Sequence, residues 1–425
     1  MKRSLALLTY SFITSACRPL APLFLWSRVA QGKEDTGRVD ERRGVAGHPR
    51  PQGRIVWMHG ASIGECLSLM PCMEEFIGRG FHIVMTSGSI GSARVLGERL
   101  PAGAVHQFFP LDVYQYALRF LDHWRPDIVF FAESEIWPNI FRAIRKRRLP
   151  LVIVNARLSP ASFSRWKRAR KAAADAFGSI DLCLAQTRED AQRFAKLGTK
   201  KVRVAGNTKF DTTPPPADPA ELSALTGRVG ARPVWAAIST HEGEEEIVAD
   251  LHLALQARFP SLLTIVAPRH PERAAAITQM LVGKGLRVLR RSRGGGVGND
   301  TDIYLADTLG EVGLVYRLCK LAFIGRSLSA NGGGQNPIEA AKLNCAILHG
   351  PHVGNFREAY AALDDGAGAF AVEDRQALSN VVARLLSDAQ TLRRTARHAA
   401  RIAEEQSGAT ARVMQAIAPY LASRA

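Results

Sequence analysis

From residue 54 onward the chain repeats one pattern: a short, almost wholly apolar run, then a stretch of helix length with mixed polarity. Residues 54–59 (RIVWMH), 82–87, 127–132, 151–155, 182–185 and 202–205 are such runs. Strands this apolar must be covered on both faces, the condition met by a parallel sheet with helices on either side. The intervening segments, 136–148 and 162–177 among them, are long enough for the crossover that parallel pairing requires. The rhythm halts at Thr212-Thr213-Pro214-Pro215-Pro216-Ala217-Asp218-Pro219. Consecutive prolines cannot donate to a helix or a ladder, so residues 212–222 read as a stiff linker. A second series follows at 234–239, 262–267, 286–289, 302–306, 321–324, 346–349 and 369–372, then about fifty residues of helical composition. The expected fold is α/β, with one Rossmann-like domain over 31–211 and another over 223–425. Such sheets bind ligands outside the carboxyl ends of their strands, here in a cleft between the two domains.

Of the 425 residues 46% are hydrophobic and 22% charged, which excludes a disordered polymer. The net charge of +17 is one-sided: residues 1–210 carry 33 Lys and Arg against 17 Asp and Glu, residues 211–425 carry 23 against 22. A field of this kind suits an anionic partner. Basic residues cluster at Arg142, Arg145, Lys146, Arg147 and Arg148, and at Arg165, Lys167, Arg168, Arg170 and Lys171. A solvated helix face is the plain reading. Phe163 and Trp166, interleaved with the second cluster, favour contact with a membrane or a phosphorylated amphiphile instead. No nucleic-acid-binding signature is present. Six cysteines without a C-x-x-C pair read as reduced thiols in apolar sites.

Residues 1–30 begin with positive charge at Lys2 and Arg3, and an apolar stretch over 4–16 is interrupted by Arg18, Pro19 and Pro22. The preferred reading is an uncleaved membrane anchor or interfacial helix, with Trp26 at headgroup level. The alternatives are a cleaved leader ending near Cys17 and a hydrophobic helix packed on the domain.

Several turns after strands carry chemistry. In His59-Gly60-Ala61-Ser62-Ile63-Gly64-Glu65 the carboxylate falls in the first turn of a helix, placed either to accept a proton from a substrate hydroxyl or merely to cap that helix. Ala132-Glu133-Ser134-Glu135 ends an apolar strand in two carboxylates; one is expected to face the cleft and one to cap the helix near Pro138, or both to act as caps. In the second half, Ser239-Thr240-His241-Glu242-Gly243-Glu244-Glu245-Glu246 opens a helix, its glutamates complementing the helix N-terminus. Ala267-Pro268-Arg269-His270-Pro271-Glu272-Arg273 places two guanidinium groups near a strand end, a phosphate-binding chemistry. Asp307-Thr308-Leu309-Gly310-Glu311 and Gly334-Gln335-Asn336-Pro337-Ile338-Glu339 offer backbone amides to an anion and carboxylates to ribose hydroxyls. Together these four turns point to a nucleotide-sugar site, while the absence of G-x-G-x-x-G after a leading strand and of a P-loop disfavours NAD and P-loop chemistry.

HGASIGE, AESEIWPN, VNARLS, GNTKFD, STHEGEEE, PRHPER, ADTLGE and NPIEAA stand in the order found in 3-deoxy-D-manno-octulosonic acid (Kdo) transferases, and the chain resembles that family over roughly residues 10–420. The resemblance implies a GT-B fold, an N-terminal acceptor domain, a C-terminal CMP-Kdo domain and an anchor to the cytoplasmic face of the inner membrane. It implies transfer of Kdo from CMP-Kdo to the 6' hydroxyl of lipid IVA, a tetraacyldisaccharide 1,4'-bisphosphate, with inversion and with no cofactor or essential metal. Carried over by motif, Glu65 is the general base, and Glu133 and Lys209 support the transition state. Pro268, Arg269, Leu309, Gly310, Glu311, Asn336, Pro337, Ile338 and Glu339 line the CMP site. The partners implied are lipid IVA, CMP-Kdo and an anionic membrane surface, with no nucleic acid.

The chain departs from the family pattern at Gly325-Arg326-Ser327, where Gly-Gly-Ser is common, and at Gln335, where a histidine is common. Arg326 adds charge near the phosphate site; Gln335 can donate a hydrogen bond and cannot titrate. Two other functions compete: a GT-B glycosyltransferase or epimerase using another nucleotide sugar, and a lipid A binding protein with a decayed site. The retention of Glu65, Glu133, Lys209 and Arg269 speaks against the last.

Overall fold

The apolar runs form strands in two parallel sheets of seven. In the computed structural model, which describes residues 4–422, the first sheet contains β1 (Ile55–Gly60), β2 (His82–Ser87), β3 (Ala104–Phe108), β4 (Ile128–Ala132), β5 (Leu151–Ala156), β6 (Leu182–Ala185) and β7 (Val202–Val204). Their order is β3-β2-β1-β4-β5-β6-β7. Every residue of β1 and of β4 is buried, as strands covered on both faces require. The chain leaves β1 to build one side of the sheet and returns beside β1 to start the other at β4, so the switch point lies between the carboxyl ends of these two strands.

β3 went unrecognised in the sequence because AVHQF carries two polar residues in the middle of an edge strand. Both are buried and satisfied by distant groups. His106 Nε2 bonds Ser87 Oγ at 2.9 Å, and Gln107 Oε1 accepts from Trp124 Nε1 at 2.7 Å.

The second sheet contains β8 (Val234–Thr240), β9 (Leu263–Pro268), β10 (Val288–Arg290), β11 (Ile303–Leu305), β12 (Leu321–Ile324), β13 (Ala346–His349) and β14 (Ala369–Ala371), ordered β10-β11-β9-β8-β12-β13-β14. Its switch point lies between β8 and β12.

The two compact units divide at Thr212 and Thr213, but the second ends at Glu405, and the chain from Gln406 belongs to the first. This corrects the expected 223–425 boundary. The helix Ala409–Ala422 buries Val413, Met414, Ala416 and Ile417 against Val56, Met58, Phe76 and Phe130. Asp211 caps that helix from the far end of the unit, accepting from Gly408 N at 2.6 Å and from Thr410 N, while Arg412 Nε donates to Ala205 O at 2.7 Å. The proline segment is shorter than expected, since the helix Pro219–Val229 begins inside it, capped by Asp218. Nor is it a free spacer. Arg317 donates to Pro215 O at 2.7 Å, and a Cβ on Gly313 would stand 2.1 Å from Pro216 O.

At the N-terminus, Leu5–Ala16 and Ala21–Ala30 are separate helices joined by the turn Arg18–Leu20; the charges on Lys2 and Arg3 lie outside the described residues. Among the described residues no helix is long and apolar enough to cross a membrane. Polar contacts fasten the first helix to its unit: Tyr10 OH donates to Asp112 Oδ2 at 3.0 Å, Arg142 to Ser11 Oγ at 2.9 Å, and Asn139 Nδ2 to Thr14 Oγ1 at 2.9 Å. Asp112 also accepts from the Asn139 and Ile140 amides, and burial pushes its carboxyl up to about 6. The opposite surface leaves Leu5, Phe12, Ile13, Leu20, Leu23, Phe24 and Trp26 exposed.

Removing the Asp211 cap is expected to free the returning helix. Asp211→Ala should lower the unfolding free energy by about 1–2 kcal/mol, the worth of a helix cap, and make residues 409–422 the first site of protease cleavage. Urea denaturation and limited proteolysis check this.

Candidate active site

In the first unit the switch point collects residues from four separate segments. A Cβ on Gly60 would lie 2.7 Å from Cys66 N, so only glycine lets the helix Ile63–Ser68 start this close to the end of β1. Ser62 caps the helix and Glu65 reaches back. Its Oε1 accepts from Ser62 Oγ and its Oε2 from Ala61 N, each at 2.9 Å. Capping and chemistry are therefore compatible: the reciprocal contacts pin a carboxylate that is only partly buried. Burial, with the nearby Glu133 carboxylate adding to it, raises Glu65 to about 7 against the pull of Ala61 N–H and Ser62.

Glu133 follows β4 in the left-handed region, at φ +54°, an uncommon conformation for a side chain of this size. Its amide bonds Val154 O at 2.9 Å, and its Oε1 accepts from Lys209 Nζ at 2.8 Å, with the two side chains only 18% and 14% exposed. Lys209 arrives on the turn Thr208–Asp211. Asn155, itself at φ +57° and buried, accepts from Thr208 N at 2.9 Å. Asn207 Oδ1 accepts from Lys209 N at 3.0 Å, and Thr208 Oγ1 donates to Ser68 O at 2.6 Å. Asn155, near the end of a buried strand and in the left-handed region that asparagine tolerates, and Asn207, capping the turn that carries Lys209, are site residues that the motifs alone do not single out.

Phe163 and Trp166 are partly buried rather than fully presented to solvent. Both pack on the core of the first unit, Trp166 edge-on to Phe177, because the helix Pro160–Arg168 turns its aromatic face inward. The cations on its other face, and Arg145 and Lys146, are exposed. Arg142 lies over Tyr114 and Arg147 pairs with Asp122.

In the second unit Pro268 ends β9 and Arg269 follows it, Leu309–Glu311 follow β11, and 336–339 follow β12, so the predicted residues stand at one edge of one sheet. Their roles divide. Glu244 spans the switch point, accepting from His241 N at 2.9 Å, Arg326 N at 2.7 Å, Ser327 N at 3.2 Å and Leu328 N at 3.4 Å. Burial outweighs these donors and holds its carboxyl above the usual range. Glu245 takes both nitrogens of Arg273, at 2.9 and 3.2 Å, and the Thr240 hydroxyl. The glutamates thus brace neighbouring loops in addition to complementing their own helix, and Arg273 is not the free phosphate ligand expected.

Arg269 and Arg326 remain exposed, Arg326 at φ +59°. His241, between β8 and these cations, is lowered to about 4 by burial and then by Arg326, His270, Arg269 and Arg273. A neutral imidazole in a positive field results, 3.1 Å from Gln335 Nε2, which donates to it. Arg291 grips both oxygens of Glu311, at 2.9 and 3.1 Å, and holds that carboxyl below its ordinary value. Asn336 bonds Ile338 N and Glu339. Pro337 and Ile338 are buried, so neither presents a side chain to solvent. A hollow of about 180 Å³ adjoins Gly310 and Glu311. A wider groove of about 510 Å³, lined by Lys320, Asn344, Arg393 and Arg397, opens at the opposite, amino ends of β12 and β13. Among the described residues no group of three or more His, Cys, Asp or Glu is placed to hold a metal ion.

Comparison with known proteins shows relatives in sequence and in fold. A family model described as 3-deoxy-D-manno-octulosonic-acid transferase (kdotransferase) matches residues 37–212. A protein of Haemophilus influenzae named 3-deoxy-D-manno-octulosonic acid transferase is 31% identical, over 97% of this chain and 98% of that one. One of Bordetella pertussis with the same name is 34% identical, over 96% and 98%. Among solved structures, a glycosyltransferase from Rickettsia africae ESF-5 aligns with a TM-score of 0.58 at 11% identity, over 87% of this chain and 99% of that one. A putative UDP-N-acetylglucosamine 2-epimerase from Listeria monocytogenes aligns at 0.57 and 14%, over 87% and 98%. Likeness at this identity concerns the fold, which is of the GT-B class.

Glu244→Ala should leave three amides of the 326–328 loop without a partner. The expected loss is about 2–3 kcal/mol of stability, with hydrogen exchange accelerated selectively at Arg326, Ser327 and Leu328.

Proposed function

The chain belongs to the Kdo transferase family and is a glycosyltransferase; from that premise we propose that it moves Kdo from CMP-Kdo to the 6' hydroxyl of lipid IVA, with inversion and with Glu65 as the base. The observation that carries this reading is the state of Glu65. It is pinned by Ala61 N and Ser62 Oγ, partly open to solvent, and raised to about 7 beside a charge-compensated Glu133–Lys209 pair. A base is most effective when its pKa lies near the working pH, because it is then both ionised often enough and basic enough. The sign follows. Only ionised Glu65 accepts the hydroxyl proton, so kcat/KM should climb through about pH 7 and level off above it.

In this scheme Glu65 takes the proton as the hydroxyl oxygen attacks the anomeric carbon, and the bond to the CMP phosphate breaks. Negative charge then grows on the departing phosphate, which suits the free guanidinium groups of Arg269 and Arg326 and the Gln335 amide. Lys209 and Glu133 steady the first unit's side of the transition state. No metal in the transferase is invoked.

The same proposal places the protein on the cytoplasmic face of an anionic inner membrane, lying in the interface. Its supports are the exposed face of the two N-terminal helices and the basic clusters beside it, on helices Pro138–Lys146 and Arg170–Phe177 that touch Leu5–Ala16.

Glu65→Gln should bind CMP-Kdo with unchanged affinity and lose about 10²–10⁴-fold in transfer to lipid IVA, read by mass spectrometry of the acceptor. Retention of more than about a tenth of the activity would remove Glu65 from the role. Phe24→Asp combined with Trp26→Asp should weaken binding to anionic phospholipid vesicles at least about tenfold, read by flotation, without changing CMP-Kdo affinity.

A further inference from the structure

His59 and Glu135 are two titratable groups beside Glu65 that the proposed reaction leaves unused. His59 is the next-to-last residue of β1, 1% exposed, its ring stacked on Phe109 with centroids 3.7 Å apart. Nδ1 lies 3.1 Å from Thr86 O and 3.0 Å from Thr86 Oγ1. That hydroxyl is already committed, donating to Met58 O at 3.2 Å and accepting from Trp57 Nε1 at 2.9 Å. It has no second hydrogen to give, and a carbonyl has none, so the hydrogen in this contact belongs to Nδ1. Burial, followed by the Arg42 guanidinium, lowers His59 to about 3, so the ring is neutral. Nε2 is then a bare acceptor.

Among the described residues Nε2 has no hydrogen-bond partner, and it is buried. It faces Glu135 Oε2 at 4.0 Å. That oxygen also accepts from Trp137 Nε1 at 2.9 Å. Were Glu135 ionised, two lone pairs would oppose each other with no hydrogen between them, at a nitrogen that is itself buried. A hydrogen on Oε2 turns the same contact into donor and acceptor, and closure by about 1 Å brings it to bonding distance.

The surrounding charges favour that state. Glu135 faces Glu133 and Glu65 as well as His59. Glu133 is answered by Lys209, and Arg42, on the His59 side, is answered by Glu34 at 2.8 Å. Burial with Glu133 raises Glu135, against the Trp137 N–H.

We infer that Glu135 keeps its proton and donates it to His59 Nε2, which makes Glu135 a neutral positioning residue beside the Glu65 base. The catalytic consequence rests on the reading of Glu65 given above; the location of the proton does not. With Glu133 engaged by Lys209 and Glu135 neutral, Glu65 is the carboxylate left to accept the substrate proton.

The test uses the full-length protein with vesicles. In Glu135→Gln the carboxamide supplies an N–H to His59 Nε2 in place of the O–H. The acid limb of kcat/KM is therefore expected within about 0.3 pH unit of its original position and the plateau within about threefold. A shift of the limb to lower pH by more than about half a unit would mean that a negative charge beside Glu65 had been removed, and would overturn the proposal.

Infrared difference spectra of the wild type minus Glu135→Gln at pH 8 should show loss of a protonated carboxyl stretch; loss of a carboxylate band instead would refute it. This readout needs no turnover, so it survives failure of Glu65 as the base. Nitrogen-15 spectra of the unmutated protein should show a neutral Nδ1–H tautomer for His59 from about pH 6 to 9. An Nε2–H tautomer or an imidazolium would count equally against the inference, whether or not the variant folds.

Discussion

Lys209 Nζ meets Glu133 Oε1 at 2.8 Å, and much of the first unit is organised so that this contact can form. A largely buried ion pair adds little net stability, because desolvation offsets most of the attraction, but losing either partner strands a charge. Around the pair, Asn155 holds Thr208, Asn207 holds the Lys209 amide, and Asp211 grips the returning helix. The strained backbone at Glu133 is tolerated because its amide and its carboxylate are both engaged. Segments far apart in the chain therefore move as one body. The consequence falls on Glu65, whose proton affinity is raised to near neutrality by burial and by the Glu133 carboxylate beside it.

The second unit handles charge differently. By count residues 211–425 are nearly neutral, with 23 basic and 22 acidic side chains. Yet the switch point of this sheet is locally positive. Glu245 is spent on Arg273, Glu311 on Arg291, and Glu244 on the backbone amides of the 326–328 loop. Arg269 and Arg326 are left without carboxylate partners among the described residues, and their field is what depresses His241 once burial has begun to do so. Composition averages over such pairings, so a locally positive surface can hide in a balanced sequence.

Much of the fold was legible because most of its strands are buried on both faces, and a wholly apolar run has few other places to go. β3 escaped since its buried His106 and Gln107 are satisfied by Ser87 and Trp124, partners that no local pattern reveals. The returning helix escaped for a related reason. An apolar face over Val413, Met414 and Ile417 announces burial but not against which of two cores. Trp166 and Phe163, aromatics among cations, turn out to be half-buried, packed against the core of the first unit. At the site, the motif turns fell where expected, at the carboxyl ends of strands. Which of their side chains were free was not legible, because Arg273 and Arg269 differ only in what lies across from them.

By itself the sequence determined two parallel α/β units, the turns that carry Glu65, Glu133, Lys209 and the second unit's exposed arginines, and the family to which they belong. These follow from periodicity, proline placement and short-range motif spacing, all properties of neighbouring residues. Tertiary structure decided the rest: that residues 406–422 complete the first unit, that Glu133 is neutralised by Lys209, that Arg273 is occupied, and that His59 turns an unpartnered nitrogen toward Glu135. Each of these depends on which charges and lone pairs meet across tens or hundreds of residues. Electrostatic character is a property of such meetings, since proton affinity depends on burial and on the nearest charge, not on position in the chain.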